Sequence, residues 1–112
     1  VIIYHMAHRA DWLAAQSSGQ YAGSPDDLRD GFIHFSTAAQ VARSAAKHRA
    51  GQRDLLLLRV DAARLGPALR WEASGSGETY PHLYGTLPVE AVARVDALPL
   101  GEDGRHVFPP LE

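Results

Sequence analysis

Gly31-Phe32-Ile33-His34-Phe35-Ser36-Thr37 is the stretch whose reading decides the fold. Phe32, Ile33 and Phe35 favour a strand. Period-two alternation puts Phe32, His34 and Ser36 on one face, with Ile33 and Phe35 on the other. Ser36 and Thr37 then open an alanine-rich helical pattern. A helix N-terminus carries unpaired N–H groups and partial positive charge. A His and a Ser delivered to such an end frame an anion or nucleotide pocket, and the same end favours a neutral His34. The plainer reading stands beside it: Ser36 or Thr37 caps the helix, and His34 is a hydrogen-bonded core histidine.

Working outward, an acidic turn (Asp26, Asp27, Asp30) precedes Gly31. Before it, Gln20 to Arg29 reads as loop, with Tyr21 isolated and a turn or one helical turn at Ser24-Pro25-Asp26-Asp27. Val1 to Met6 is a first strand, with Val1, Ile3 and His5 sharing a face. A helix follows from about Arg9 to Gln16, its buried side carrying Trp12 and Leu13.

On the other side, the second helix runs from Thr37 to about Arg49. Thr37 and Gln40 have capping-box spacing, and Ala38, Val41, Ala42 and Ala45 form an apolar stripe. Lys47, His48 and Arg49 suit its negative end. Asp54 to Asp61 contains Leu55-Leu56-Leu57-Leu58 and reads as a strand buried on both faces, central in a sheet. In Leu69-Arg70-Trp71-Glu72, Leu69 and Trp71 are expected to face the core, with Arg70 and Glu72 towards a cleft or solvent. Ser74 to Gly77 is a lid or a hairpin connection. Tyr80-Pro81-His82-Leu83-Tyr84-Gly85 reads as a Pro-fixed bend, Ala93 to Leu98 as a strand, and Val107-Phe108 as a terminal strand. Strands outnumber the two main helices, so the expected class is α+β with a mixed, largely antiparallel sheet. No phosphate-binding glycine motif follows the first strand, which removes Rossmann and P-loop readings.

The 112 residues suit a single domain, 1–112, able to bury about 65% of its unfolded surface. No cysteine is present, so neither disulfides nor thiolates hold it, which fits a cytoplasmic setting. A net charge of −2 argues against a general nucleic-acid surface but leaves room for a local basic cleft. No apolar run approaches membrane-spanning length, so no membrane partner is expected. The chain starts at Val1 rather than Met and shows no signal peptide; Leu111-Glu112 has the look of a vector remnant, so neither end carries functional weight.

His5, His34 and His82 sit in short aromatic contexts, whereas His8, His48 and His106 have polar neighbours and read as surface residues. No histidine pair in the first group has helical i, i+4 spacing and no thiolate assists, so no metal is expected. A Ser36/His34 nucleophile–base pair has no nucleophile elbow around it.

Ile-Tyr-His-Met-Ala, Gly-Phe-Ile-His-Phe-Ser, the Leu-rich strand, Arg-Trp-Glu and Tyr-Pro-His-Leu-Tyr-Gly, in that order from Ile2 to about Val95, resemble the bacterial family called domain of unknown function 952. More distantly, Gly31 to Ser36 and the Pro81–Tyr84 spacing resemble elements of the NAD-dependent RNA 2′-phosphotransferases. That resemblance implies the ADP-ribosyltransferase-like fold, a split β-structure around an NAD cleft. It implies His5 at the ribose next to adenine and His34 with Ser36 near the nicotinamide ribose. Many members of that fold use a later Glu to stabilise positive charge on the sugar, a role for which Glu72 is a candidate. It adds Trp71 and Tyr84 as aromatic surface for nicotinamide, with His82 and Arg70 completing the cofactor set. The expectation is an NAD-binding ADP-ribosyl- or phosphotransferase-like enzyme acting on an unidentified acceptor. The alternatives are a non-catalytic nucleotide- or metabolite-binding module and, third, a metal-dependent hydrolase.

Overall fold

The computed structural model describes residues 1–112. Strand β1 (Ile2–His8) pairs antiparallel with β5 (Leu55–Asp61) along its whole length, from Ile2 opposite Asp61 to His8 opposite Leu55. Strand β4 (Ser36–Thr37) lies on the other side of β1, and β9 (Val92–Ala97) beyond β5, giving the order β4-β1-β5-β9. The four leucines are buried alternately on both faces, as a near-continuous apolar run demands. Leu56, Leu58 and Val60 join Ile3, Trp12, Tyr21 and Phe35 in one cluster. Leu55 and Leu57 join Tyr4, Met6, Val41 and Ala45 in another.

A second sheet contains β3 (Ile33–His34), β7 (Thr79–Leu83) and β6 (Leu69–Ala73), in the order β3-β7-β6. A two-residue ladder joins β2 (Gln20–Tyr21) to β8 (Leu87–Pro88). Every pairing is antiparallel. Helix α1 (Arg9–Ser18) covers the first cluster through Trp12 and Ala15, and α3 (Val41–His48) covers the second through Val41 and Ala45. Between them α2 (Pro25–Asp30) makes a third helix where a loop with at most one helical turn was expected. The class is α+β with mostly antiparallel sheets. No helix is long and apolar enough to cross a membrane.

The deciding stretch is not one continuous strand. Ile33-His34 belongs to the three-stranded sheet and Ser36-Thr37 to the four-stranded one, with buried Phe35 at the crossing. Ile33 and His34 pair with Leu83 and His82, and the Phe35 N–H donates to the Pro81 carbonyl. One residue later Ser36 is opposite Tyr4. The chain therefore splits two sheets apart at this point.

Three further expectations are corrected. Helix α3 begins at Val41, not Thr37, because Ser36 and Thr37 are spent pairing with β1. The Thr37 N–H donates to Gln40 Oε1 at 3.1 Å, so only the half of the expected capping box in which the Gln40 side chain accepts forms. Pro81 lies within a strand rather than at a bend. Val107-Phe108 forms no strand; a single bridge joins Leu100 to His106 instead. At the chain's end, Leu111 packs against the second cluster and the Glu112 N–H donates to the Tyr4 hydroxyl.

Candidate functional site

The split between the sheets is sealed by side chains. Helix α2 starts with Ser24 as N-cap, Pro25 in its first turn and a reciprocal capping box: Ser24 Oγ accepts from Asp27 N–H, and Asp27 Oδ2 accepts from Ser24 N–H at 2.7 Å. This fixes the Asp27 carboxylate beneath the strand. Its other oxygen accepts from the His34 backbone N–H at 3.1 Å and from His34 Nδ1 at 2.5 Å. The side chain of Asp27 is 1% exposed. Gly23, at φ +106°, makes room for it: a Cβ there would lie 2.7 Å from the Asp27 Cβ.

His5 approaches the same carboxylate from β1. Its Nδ1 lies 2.6 Å from the His34 carbonyl oxygen, and its Nε2 lies 2.8 Å from the Tyr21 hydroxyl and 3.5 Å from Asp27 Oδ2. A carbonyl can only accept, so Nδ1 carries a proton, and Nε2 of the neutral ring accepts from the tyrosine hydroxyl. Burial pushes the His5 imidazolium down, against the opposing attraction of Asp27 and the bond to the His34 carbonyl. Burial likewise pushes the Tyr21 hydroxyl far up, helped by the charges of Asp27 and Asp11. For Asp27 burial acts to raise the carboxyl, but the His34 bond, the His5 charge and the N–H groups of Ser24 and His34 together hold it well below the usual range. One ionised carboxylate thus organises two histidines and a tyrosine.

His34 is the exposed end of this chain of contacts. Its side chain is 40% exposed, and its Nε2 lies 3.1 Å from Asp30 Oδ2. Both ring nitrogens face carboxylates. Helix α3 starts seven residues later, whereas Asp27, the partner of His34 Nδ1, lies in the first turn of α2.

His34 opens into a cavity of about 570 Å³. One wall is the edge of the four-stranded sheet, with Tyr4, Met6 and Ser36; a second is α3 and its C-terminal end, with Arg43, Ser44, Lys47, His48 and Arg49. The β6–β7 hairpin closes a third side with Ser74 to Ser76, Glu78, Tyr80 and His82. The serine-glycine loop is a hairpin connection bordering the cavity, pinned by Ser74 N–H to the Glu78 carbonyl. Two arginines on the walls are matched by carboxylates, Arg43 by Glu78 and Arg29 by Asp26 and Asp30. Lys47 makes no ion pair, and Arg49 has only a 3.6 Å approach to Asp26.

Of the residues singled out from sequence, His5, His34, Ser36 and His82 come together around this cavity. Ser36 is buried and its hydroxyl donates to Ser44 Oγ at 3.2 Å, a bond between strand and helix rather than a cap. Glu72, Tyr84 and Arg70 form a separate cluster that does not line the cavity. Glu72 Oε1 accepts from Tyr84 O–H at 2.7 Å and from His82 Nδ1 at 2.9 Å, and the Arg70 guanidinium sits 4.7 Å above the Tyr84 ring. The Tyr84 and His82 bonds hold the Glu72 carboxyl below its usual range. Phe32 joins the two groups, packed against His34 at 4.6 Å and His82 at 4.1 Å between ring centroids. Trp71, expected in the core, lies opposite Arg70 and Glu72 as alternation requires but is 44% exposed, while Leu69 on the same strand face packs against the first cluster. His48, expected on the outer surface, lines the cavity.

Sequence reasoning missed Asp27, Tyr21 and Arg49. The Ser24–Asp27 capping spacing with Pro25 was visible and pointed to a helix start. Tyr21 and Arg49 become functional candidates only through contacts across 16 and 25 residues of chain. No group of three or more His, Cys, Asp or Glu side chains is arranged to hold a metal ion.

With this geometry in place, the comparisons are direct. The crystal structure of protein CC0527 from Caulobacter crescentus is 46% identical, covers 96% of this chain and 94% of its own, and superposes with a TM-score of 0.92. The solution structure of the same bacterial protein is 47% identical over 93% of this chain and 90% of its own, with a TM-score of 0.83. No curated protein matches the sequence. The family described as "Protein of unknown function (DUF952)" matches residues 6–95, and the chain belongs to that family.

Proposed function

We propose that the cleft is a nucleotide pocket of the NAD class in an ADP-ribosyltransferase-like frame, with His34 as the group that meets the ligand. The observation that carries this reading is the pairing, across one cavity of about 570 Å³, of an Asp27-oriented imidazole with a wall bearing positive charge at Lys47, which has no carboxylate partner, and at Arg49, whose one carboxylate partner Asp26 stands 3.6 Å away. A cavity of this size lies within the range of small-molecule and cofactor sites. These cations suit phosphate oxygens. The two sheets splitting around the cleft also fit that frame.

When bound, NAD would supply an ADP-ribosyl group with nicotinamide as the leaving group. This chain's own part is to orient and to shield. Asp27 fixes the His34 ring from below through Nδ1, leaving Nε2 towards the cavity once Asp30 moves aside. Ser36 and Ser44 present hydroxyls on the adjoining wall. His5, with both ring nitrogens engaged, supports His34 rather than touching ligand. Thermal shift with NAD, ADP-ribose and nicotinamide tests the pocket, and product analysis tests turnover.

A second reading, binding without turnover, is favoured by one contact. Glu72, the candidate for stabilising charge on the sugar, is held by His82 and Tyr84 outside the cavity lining. Under that reading NAD or a related nucleotide binds and is recovered unchanged.

A further inference from the structure

The structure points to a phosphate subsite centred on Arg49, at the end of α3, and we propose that it takes the phosphate or pyrophosphate group of the ligand. Its side chain is only 10% exposed. Five N–H donors on that guanidinium find one hydrogen bond among the protein's groups, a 3.3 Å contact to Ser24 Oγ. Its nearest carboxylate, Asp26, stands 3.6 Å away and is itself half-exposed. A largely buried charge with so little compensation is costly unless an anion completes it. Arg49 is among the residues that line the cavity.

Beside that one carboxylate, further cationic groups line the same end of the cleft. Lys47 and His48 line the cavity beside Arg49, and Lys47 makes no ion pair. The His48 imidazolium is pushed down by burial and then by the charges of Lys47, His34 and Arg49, against the opposing charge of Asp26. A planar guanidinium offers a phosphate two parallel N–H···O bonds, which a lysine does not. The Arg49 phosphate subsite gives the cleft a direction, with phosphate at the α3 end and the sugar and base towards His34 and His82. Only this direction rests on the nucleotide reading; the anion site stands on Arg49 itself.

The test uses inorganic pyrophosphate as probe, with sulfate as a second anion, against the intact protein. Pyrophosphate is expected to raise the melting temperature and to shift the Arg49 Nε–H resonance in ¹⁵N NMR spectra. Arg49→Gln is expected to weaken pyrophosphate binding by about tenfold or more, Arg49→Lys less, and Arg53→Gln, exposed and away from the cavity, not at all. Should Arg49→Gln fail to fold, the wild-type Arg49 resonance decides alone. An unmoved Arg49 resonance at millimolar pyrophosphate overturns the subsite, as does unchanged affinity in a folded Arg49→Gln. Pyrophosphate binding without NAD binding supports the subsite and sinks the nucleotide reading. NAD binding that is indifferent to Arg49→Gln does the reverse.

Discussion

The His5 ring donates from Nδ1 to the backbone carbonyl of His34, 2.6 Å away, at the point where the chain passes from β3 in the three-stranded sheet to β4 in the four-stranded one. Tyr4, the residue before His5, is in register with Ser36, the second residue after His34. Between those pairs the ladder is interrupted, and an imidazole takes up the carbonyl that a strand N–H would otherwise satisfy. The split that creates the cleft is therefore stabilised by a side chain which the cleft's ligand does not need to touch.

Replacing that ring isolates the claim. His5→Phe keeps the ring volume but leaves the His34 carbonyl and the Tyr21 hydroxyl without their partner. Each orphaned buried group costs about 1–3 kcal/mol, so urea unfolding should show a loss of about 2–5 kcal/mol. A loss under about 1 kcal/mol would mean that the contact holds nothing together.

Acid stability should fall in two steps. Burial depresses His5 in the folded state, so the unfolded chain takes up its proton first, and stability present above about pH 6.5 declines below it. His48 is depressed in the same direction, so comparing His5→Phe with His48→Gln assigns the step. Asp27 is depressed too, and its contribution is complete above the ordinary carboxylate value of 3.8 and lost as pH falls further. Asp27→Asn should flatten this lower step while reducing stability at neutral pH. Urea midpoints across pH 2–8 would check both steps, and a lower step unchanged in Asp27→Asn would refute the assignment.

Ser36→Ala removes a hydroxyl bonded to Ser44, not a helix cap, and should cost about 0.5–1.5 kcal/mol. If the hydroxyl also serves the ligand, affinity should fall by more than that loss accounts for. Chemical denaturation and titration calorimetry on one variant separate the two roles.

Much of the frame was readable from sequence because local patterns and tertiary packing agreed. On α1 Trp12 is buried as expected but Leu13 is 54% exposed, its place taken by Ala15, whereas the leucine run of β5 and the shared face of Ile3 and His5 follow from periodicity alone. The start of α3 did not, because β1 recruits Ser36 and Thr37 as a strand, and tertiary pairing overrode a local capping signal. Alternation along Leu69-Arg70-Trp71-Glu72 identifies the face of Trp71 but not how far the core extends along it: Leu69 packs against the core and Trp71 is 44% exposed. His5, His34, Ser36 and His82 were legible as polar residues in apolar strands. Asp27 and Arg49 were not, since one looked like a turn acid and the other like a base suited to a helix end.

Gly23→Ala tests whether the Asp27 position matters to the site. The left-handed backbone and the 2.7 Å approach to Asp27 Cβ together predict a loss of more than about 1 kcal/mol, with a displaced His34 resonance. An unchanged resonance would detach Gly23 from the site.

The central claim, a nucleotide pocket at His34, is tested most directly by the melting temperature in the presence of NAD. A ligand that binds only the folded chain, at a hundredfold excess over its Kd, stabilises it by about 2.7 kcal/mol. For 112 residues that is a rise of several degrees. The account predicts such a rise with NAD or ADP-ribose in the wild type, its loss in His34→Ala, and its retention in Arg53→Ala. Melting curves unmoved by millimolar NAD, ADP-ribose and nicotinamide would contradict it.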